Sequence, residues 1–456
     1  MHADTDLIAH VAFGWDPLWV STILFVLTYV IIVTERVNRA IVSGLGAALM
    51  VSLGVLNQQQ AVAGVDFNTL GLLTGMMVIV AITRRCGIFQ YVAIWTSKMV
   101  GASPWGILLM LSIVTALFSA LLDNVTTVLL IAPVTLLITE ELEIDPYPFL
   151  FAEIFSSNIG GAATLIGDPP NIMIGSAVGL SFNDFLVNLA PITPAIMLAT
   201  LFVIYFVWGK GLHATREARD RVMRFREREA ITDTALLKKS MFVLSLVVIA
   251  FVLAHPLKLE PATIAMFGAG VLLLLNNLGR DADHQSEDVH KSFGEVEWVT
   301  IFFFVGLFIV VAGIEHAGLL QMLADWMLNL TGGDMAVTSI AILWVSAVAS
   351  AIVDNIPFVA TMIPMIKAMA PTFGGAENLM PLWWSLALGA CLGGNGSLVG
   401  ASANLIVAGF AERAGHRIAF LKFMRLAFPL MLMSIAVATA YLYLRYLVPQ
   451  SNFFLM

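Results

Sequence analysis

The side chains best suited to chemistry fall in two matching stretches of this 456-residue chain. SALLDNVTTV places Asp123, Asn124, Thr126 and Thr127 between apolar arms, and SAIVDNIPFV repeats the pattern with Asp354 and Asn355. Carboxylate, amide and hydroxyl groups set among apolar residues can bind a cation, carry a proton or hydrogen-bond a polar solute. The same residue types also cap helices. Capping alone rarely calls for a carboxylate at membrane depth, where it costs about 2.5–3.5 kcal/mol or more. A third element, GDPPN, with Gly167, Asp168 and Asn171, interrupts a long apolar stretch. Its prolines remove backbone donors and stop the preceding helix. The freed carbonyls suit a cation, and the N–H groups of the next helix suit an anion or a polar oxygen. The counterpart GASAN, Gly400 to Asn404, keeps the glycine and asparagine but lacks the aspartate and prolines. Gly160-Gly161 and Gly393-Gly394 suit close helix packing, with Asn158, Asn395 and Ser397 beside them. The Asn395 amide needs a buried partner. Glu153 also lies in an apolar run, where it either bonds a neighbour or relays protons.

The elements that position these groups follow from composition. The chain is 59% hydrophobic and 12% charged, against about 25% charged for soluble domains, and its mean hydropathy is +0.90. This describes an all-α polytopic membrane protein, and excludes a soluble enzyme, a disordered chain and a nucleic-acid binder. Two cysteines, Cys86 and Cys391, cannot make a thiolate metal site or a disulfide framework. With no G-x-x-x-x-G-K-[ST] and no H-E-x-x-H, neither nucleotide, metal, cofactor nor enzymatic activity is expected. The opening MHADTDLIAH has no basic residue, so the first apolar run reads as a retained span rather than a cleaved signal.

The sequence repeats itself. At an offset of 231 residues, Gly75 meets Gly306, Trp95 meets Trp326, Asp123-Asn124 meets Asp354-Asn355 and Pro133 meets Pro364; two residues later GGAATLIGDPPN aligns with GGNGSLVGASAN. The first repeat, 1–209, is expected to hold a hairpin over 104–138 and a broken helix over 147–180. The second, 240–456, holds a hairpin over 337–370 and a broken helix over 381–411. Residues 210–239 form a charged connector. If each hairpin has short arms and re-enters, each repeat crosses five times. An odd number inverts the second repeat, which is a secondary-transporter signature. With the connector inside and both termini outside, 20 of the 23 Lys and Arg fall inside, leaving Lys258, Lys367 and Arg445 outside. That agrees with the positive-inside rule and leaves no Lys or Arg for the core.

The two motifs together resemble the arsenite-permease/NhaD (ArsB/NhaD) branch of the ion transporter superfamily, and are similar to those of the melanosomal P protein group. The resemblance covers nearly all of the chain after the first span. It implies two opposed hairpins with tips at Asp123–Thr126 and Asp354–Pro357, and unwound breaks at Gly167–Asn171 and Gly400–Asn404. It also implies an elevator-type transport domain, a homodimer in the inner (plasma) membrane and, for some members, a soluble ATPase partner that the basic connector can dock. Carboxylate-transporting relatives carry Ser-Asn-Thr at the hairpin tips, which is absent here.

A core with Asp123, Asp168 and Asp354 and no fixed cation suits a neutral hydroxide or a small cation better than a polyanion. The expected function is therefore proton-coupled efflux of arsenite or antimonite, with one of these aspartates carrying the proton. Asn124, Thr126, Asn171, Asn355, Asn395 and Asn404 would supply neutral hydrogen bonds, with Thr127, Gly167 and Ser397 completing the site. A Na+/H+ antiporter is the alternative, and a sodium-coupled carboxylate symporter is third.

Overall fold

The computed structural model describes residues 11–34 and 36–448. The expectations for the opening segment and for the side on which the two termini lie fall outside the described residues. Among those residues there is no strand. The first part of the chain runs α1 (Pro17–Thr34), α2 (Arg39–Ser52), α3 (Gln58–Ala63), α4 (Phe67–Arg84), α5 (Ile88–Met99), α6 (Pro104–Leu121), α7 (Asn124–Glu141), α8 (Tyr147–Gly161), α9 (Pro169–Val178), α10 (Phe182–Asn188) and α11 (Thr193–Ile204). After the connector helix α12 (Arg216–Met223) come α13 (Thr234–Val252), α14 (Ala254–Leu257), α15 (Pro261–Asn277), α16 (Ala282–Gly294), α17 (Trp298–His316), α18 (Leu319–Thr331), α19 (Met335–Ile352), α20 (Asn355–Ala368), α21 (Met380–Gly393), α22 (Ser402–Arg413) and α23 (Phe420–Leu442). Eight of the described helices are long and apolar enough to cross a membrane, or up to nine if the bent pair at 182–209 counts as one span.

Local chemistry sets the boundaries. Ser103 accepts from Gly106 N–H and Pro104 opens α6; Asp66 caps α4 and Asp334 caps α19 in the same manner. Pro169 and Pro170 occupy the first turn of α9, where a missing N–H costs nothing. The interior is organised by four tight helix pairs: α2 with α17, α4 with α15, α6 with α8, and α19 with α21. The last two show why their glycines are there. A Cβ on Gly160 would lie 2.2 Å from the Ala116 carbonyl oxygen, and one on Gly393 would lie 2.6 Å from the Ala347 oxygen. Each glycine lets a hairpin backbone rest directly on the helix that carries the break.

The hairpin arms depart from expectation. The helices of the first, α6 and α7, are 18 residues each, long enough on length alone to cross, rather than short. The two ends of this hairpin meet at one short helix: from α12, Arg219 Nη2 donates to the Gly101 carbonyl (2.7 Å) and Arg221 Nη2 to the Glu141 carbonyl (2.8 Å). The second hairpin also closes on itself, since a Cβ on Gly333 would lie 3.6 Å from the Thr372 methyl. Helix α17 meets different partners at its two ends. Its N-terminal end follows Glu295, which pairs with Arg84 and Arg85 at the end of α4. Its C-terminal end holds His316, bonded to Gln60, and leads into α18 and the second hairpin. The first break begins earlier than expected: α8 stops at Gly161, and 162–168 is non-helical before Pro169.

Candidate functional site

Four helix N-termini open into the centre: α7 and α20, which follow the hairpin tips, and α9 and α22, which follow the breaks. They pack crosswise, α7 against α22 and α20 against α9. The second arm of each hairpin therefore meets the broken helix of the other half of the chain.

The asparagines at these starts form one connected cluster. Asn124 donates to Asn158 Oδ1 (3.2 Å), and Asn158 donates to Asn395 Oδ1 (2.9 Å) and Asn404 Oδ1 (3.0 Å). On the other lobe, Asn355 Nδ2 points at both oxygens of Asp168, at 3.3 and 3.4 Å, and Cys391 donates to Asn171 Oδ1 at 3.5 Å. Asn171 and Asn404 hold the breaks in shape. The Asn171 amide spans Gly161, Ala162 and Thr164 carbonyls, while Asn404 spans those of Gly394 and Ser397. Backbone contact completes the junction, because Asn124 N–H donates to the Gly167 carbonyl at 3.1 Å. Ser397 points away from the cluster, donating to the Ala351 carbonyl at 2.6 Å.

The three aspartates differ in how far they are committed. Asp123 caps its own helix, accepting from Thr126 N–H (2.7 Å) and Thr126 Oγ1 (2.5 Å). Asp354 accepts from Ile356 N–H at 3.3 Å, Arg39 Nη1 at 2.8 Å and Ser402 Oγ at 2.9 Å. Asp168 is 1% exposed, does not cap its helix, and is faced by the Asn355 amide and the Cys391 thiol. Buried without a hydrogen-bond partner in the same region are Asn124 Oδ1, Thr127 Oγ1 and Asn395 Nδ2. An unsatisfied buried polar group costs about 1–3 kcal/mol. Two acceptors and one amide donor held in that condition match a small solute that offers both O–H donors and oxygen acceptors.

One expectation is corrected. The site was expected to have no basic residue near its carboxylates, yet Arg39 pairs with Asp354 and also donates to Ser402 Oγ at 2.7 Å and Thr300 Oγ1 at 3.2 Å. Its guanidinium lies 5.0 Å from the Phe303 ring centroid. Arg39 begins α2, and its long stem reaches from the helix end to the hairpin tip, so counting it as a loop charge placed it too far out. Together with Asn38, Glu297 and Val353, the pair lines a cavity of about 370 Å3 beside the second tip.

Sequence reasoning left Asn158, Cys391, Ser402 and Arg39 off the site. Asn158 and Cys391 occupy the same position of the repeat, as do Pro169 and Ser402.

The citrate transporter family (CitMHS) matches residues 29–389. An uncharacterised transporter of Mycobacterium tuberculosis is 45% identical over 434 residues, covering 94% of this chain and 99% of that protein. The P protein of Sus scrofa is 33% identical over 510 residues, covering 94% of this chain and 59% of that protein. Among solved structures, the YdaH transporter of Alcanivorax borkumensis superposes with a TM-score of 0.58 at 12% identity, covering 95% of this chain and 99% of that one. MtrF of Neisseria gonorrhoeae gives 0.58 at 11%, covering 96% of each. The fold is thus that of multi-pass membrane transporters, and the chain belongs to the citrate transporter (CitMHS) family of secondary transporters.

Proposed function

We propose that this transporter extrudes arsenite or antimonite across the inner membrane in exchange for protons, as in the arsenite-permease/NhaD branch. The observation that carries the reading is the asparagine cluster beside a buried carboxylate, Asp168, that does not cap its own helix. A neutral trihydroxide offers O–H donors to Asn124 Oδ1 and Thr127 Oγ1 and an oxygen to Asn395 Nδ2, the three unpartnered groups. A citrate anion fits less well. The first-turn N–H groups of α7 and α20 are taken by Asp123 and Asp354, and Arg39 is already paired. Asp168 also favours a second reading, Na+/H+ exchange, since a buried carboxylate offers the hard oxygen that such a cation takes in place of a proton.

The remaining architecture belongs to the same proposal. Residues 1–209 and 240–456 act as inverted repeats joined by the cytoplasmic connector 210–239. The hairpins and broken helices move as an elevator against α2, α4, α15 and α17, in a homodimer, with any soluble ATPase docking at the connector. Asp168 exchanges its proton as substrate leaves, with Asp123 and Asp354 shaping the field.

The test uses purified protein in sealed vesicles containing a pH-sensitive dye, with an acid interior. Separate additions of arsenite, antimonite, Na+, Li+ and citrate follow. Interior alkalinisation with arsenite or antimonite alone supports the proposal. A response to Na+ or Li+ alone replaces it with cation exchange, and a response to citrate with sodium present overturns both.

A further inference from the structure

We propose that Glu153 is a second proton-carrying site, reached from the connector end of the first hairpin and separate from the asparagine cluster; this rests on the proton coupling proposed above. Glu153 lies midway along α8 at 1% exposure. One carboxyl oxygen accepts from Thr135 Oγ1 of α7, and the other, Oε2, is buried with no hydrogen-bond partner. A carboxyl group so placed has one oxygen free to take or release a proton without breaking the bond that orients it.

A route leads to it. Thr139 sits one turn beyond Thr135, its hydroxyl donating to the Thr135 carbonyl at 2.9 Å. Thr139 and Leu136 line a cavity of about 610 Å3 whose other walls include Glu140, Glu143, Asp145 and His416. Carboxylates and an imidazole at a cavity mouth collect protons and pass them inward. From Thr139 to Thr135 the helix rises about 6 Å, and from Glu153 to Asn158 about 7–8 Å. Glu153 therefore stands between the cavity and the cluster. In the step proposed, the Glu153 O–H bond breaks and the proton passes to water in the cavity. The carboxylate left behind keeps the Thr135 hydroxyl bond, and reprotonation reverses the step.

Charged or titratable groups on the elements packed around α8 are Asp123, Glu140 and Glu141 of α7, Cys391 of α21, Glu412 and Arg413 of α22, and Lys422 and Arg425 of α23. Among the described residues none of these hydrogen-bonds to Glu153, whose partner is Thr135. Lys422 instead lies 4.5 Å over the Tyr147 ring.

The experiment compares wild-type protein with Glu153→Gln, whose amide oxygen preserves the Thr135 bond, and with Glu153→Asp. The first readout is infrared difference spectroscopy in lipid, needing no substrate. A carboxylic C=O band that responds to buffer pH should be present in wild type, absent in Glu153→Gln and restored in Glu153→Asp. A wild-type spectrum lacking any pH-responsive band that Glu153→Gln removes overturns the proposal. The second readout is arsenite-driven proton movement in vesicles, expected to fall at least tenfold in Glu153→Gln and to recover in part in Glu153→Asp. Unchanged proton movement in Glu153→Gln also overturns it, whatever its spectrum. If wild-type vesicles give no arsenite response, the substrate reading fails, and the spectroscopy alone decides the fate of Glu153.

Discussion

Removing Arg39 tests whether its pair with Asp354 is a working joint between α2 and the second hairpin tip. Two unit charges about 4 Å apart attract by about 4 kcal/mol at an effective dielectric of 20. The side chains of Arg39 and Asp354 are 27% and 15% exposed, so solvent and the cost of desolvation take back much of that. A coupling energy of about 1–2 kcal/mol remains. Arg39→Ala should cost more than the coupling, about 2–3 kcal/mol, because it also forfeits the Thr300 bond and the Phe303 contact. The chain carries its own reporter, since Cys391 is a free, fully buried thiol on α21. Its labelling by a thiol reagent requires opening of the surrounding structure. A cycle of Arg39→Ala, Asp354→Asn and the double variant, read as Cys391 labelling rates in a Cys86→Ala background, isolates the pair. A coupling of 1–2 kcal/mol means that the double variant labels about 5–30 times more slowly than the product of the single effects predicts. If the single effects multiply to within about twofold, corresponding to about 0.4 kcal/mol, the ion pair holds nothing and the joint is refuted.

Other outcomes follow from the same geometry. Gly160→Ala drives a methyl against the Ala116 carbonyl, and should lower stability by about 1–3 kcal/mol; Gly409→Ala, which meets nothing within 4 Å, should be neutral or gain up to about 1 kcal/mol, both seen as shifts in thermal midpoint. Asp168→Asn should slow transport more than tenfold with the fold intact, whereas Asp123→Ala should cost about 1 kcal/mol of stability through its cap; full transport and unchanged pH dependence in Asp123→Asn, Asp168→Asn and Asp354→Asn would remove the coupling assignment. A hydrogen bond from Lys98 holds the Glu227 carboxyl below its usual range. The Lys98–Glu227 contact is thus fully formed above about pH 4.3, the unfolded value, and is lost as pH falls through the lower folded value. Hydrogen exchange around residues 225–231, corrected for intrinsic rates, should speed up on that acid limb in wild type and show no such step in Lys98→Gln.

Much of the fold was legible because membrane helices announce themselves by composition, and because a duplicated chain repeats its landmarks. The apolar runs, the Asp-Asn pairs and the proline breaks all sit at element boundaries. What was not legible was reach. Asp123 spends its carboxylate on Thr126, a use that no spacing rule separates from ligand binding. Arg39 crosses from a helix end to the second hairpin tip because its stem is long, and hydropathy averages see only its charge. The first break was placed late because Gly160 and Gly161 suggested packing, whereas helix α8 ends at them. Nor does hydropathy show that the two ends of the first hairpin meet on one helix; Arg219 and Arg221, far off in sequence, join them.

That clasp has a mechanical consequence. Both hairpins are braced at the base by an amphipathic neighbour, α5 for the first and α18 for the second. The first hairpin alone is also gripped by α12, which lies in the single covalent link between the halves. Its base is therefore stiffened by the one segment that the duplication did not copy. Two hairpins built alike would yield alike under strain; here the one with the extra brace should yield last. In the elevator proposed above, motion then has a preferred end, and whatever loosens α12 shifts its balance without touching the solute. A polar linker between two membrane halves thereby becomes a point of control.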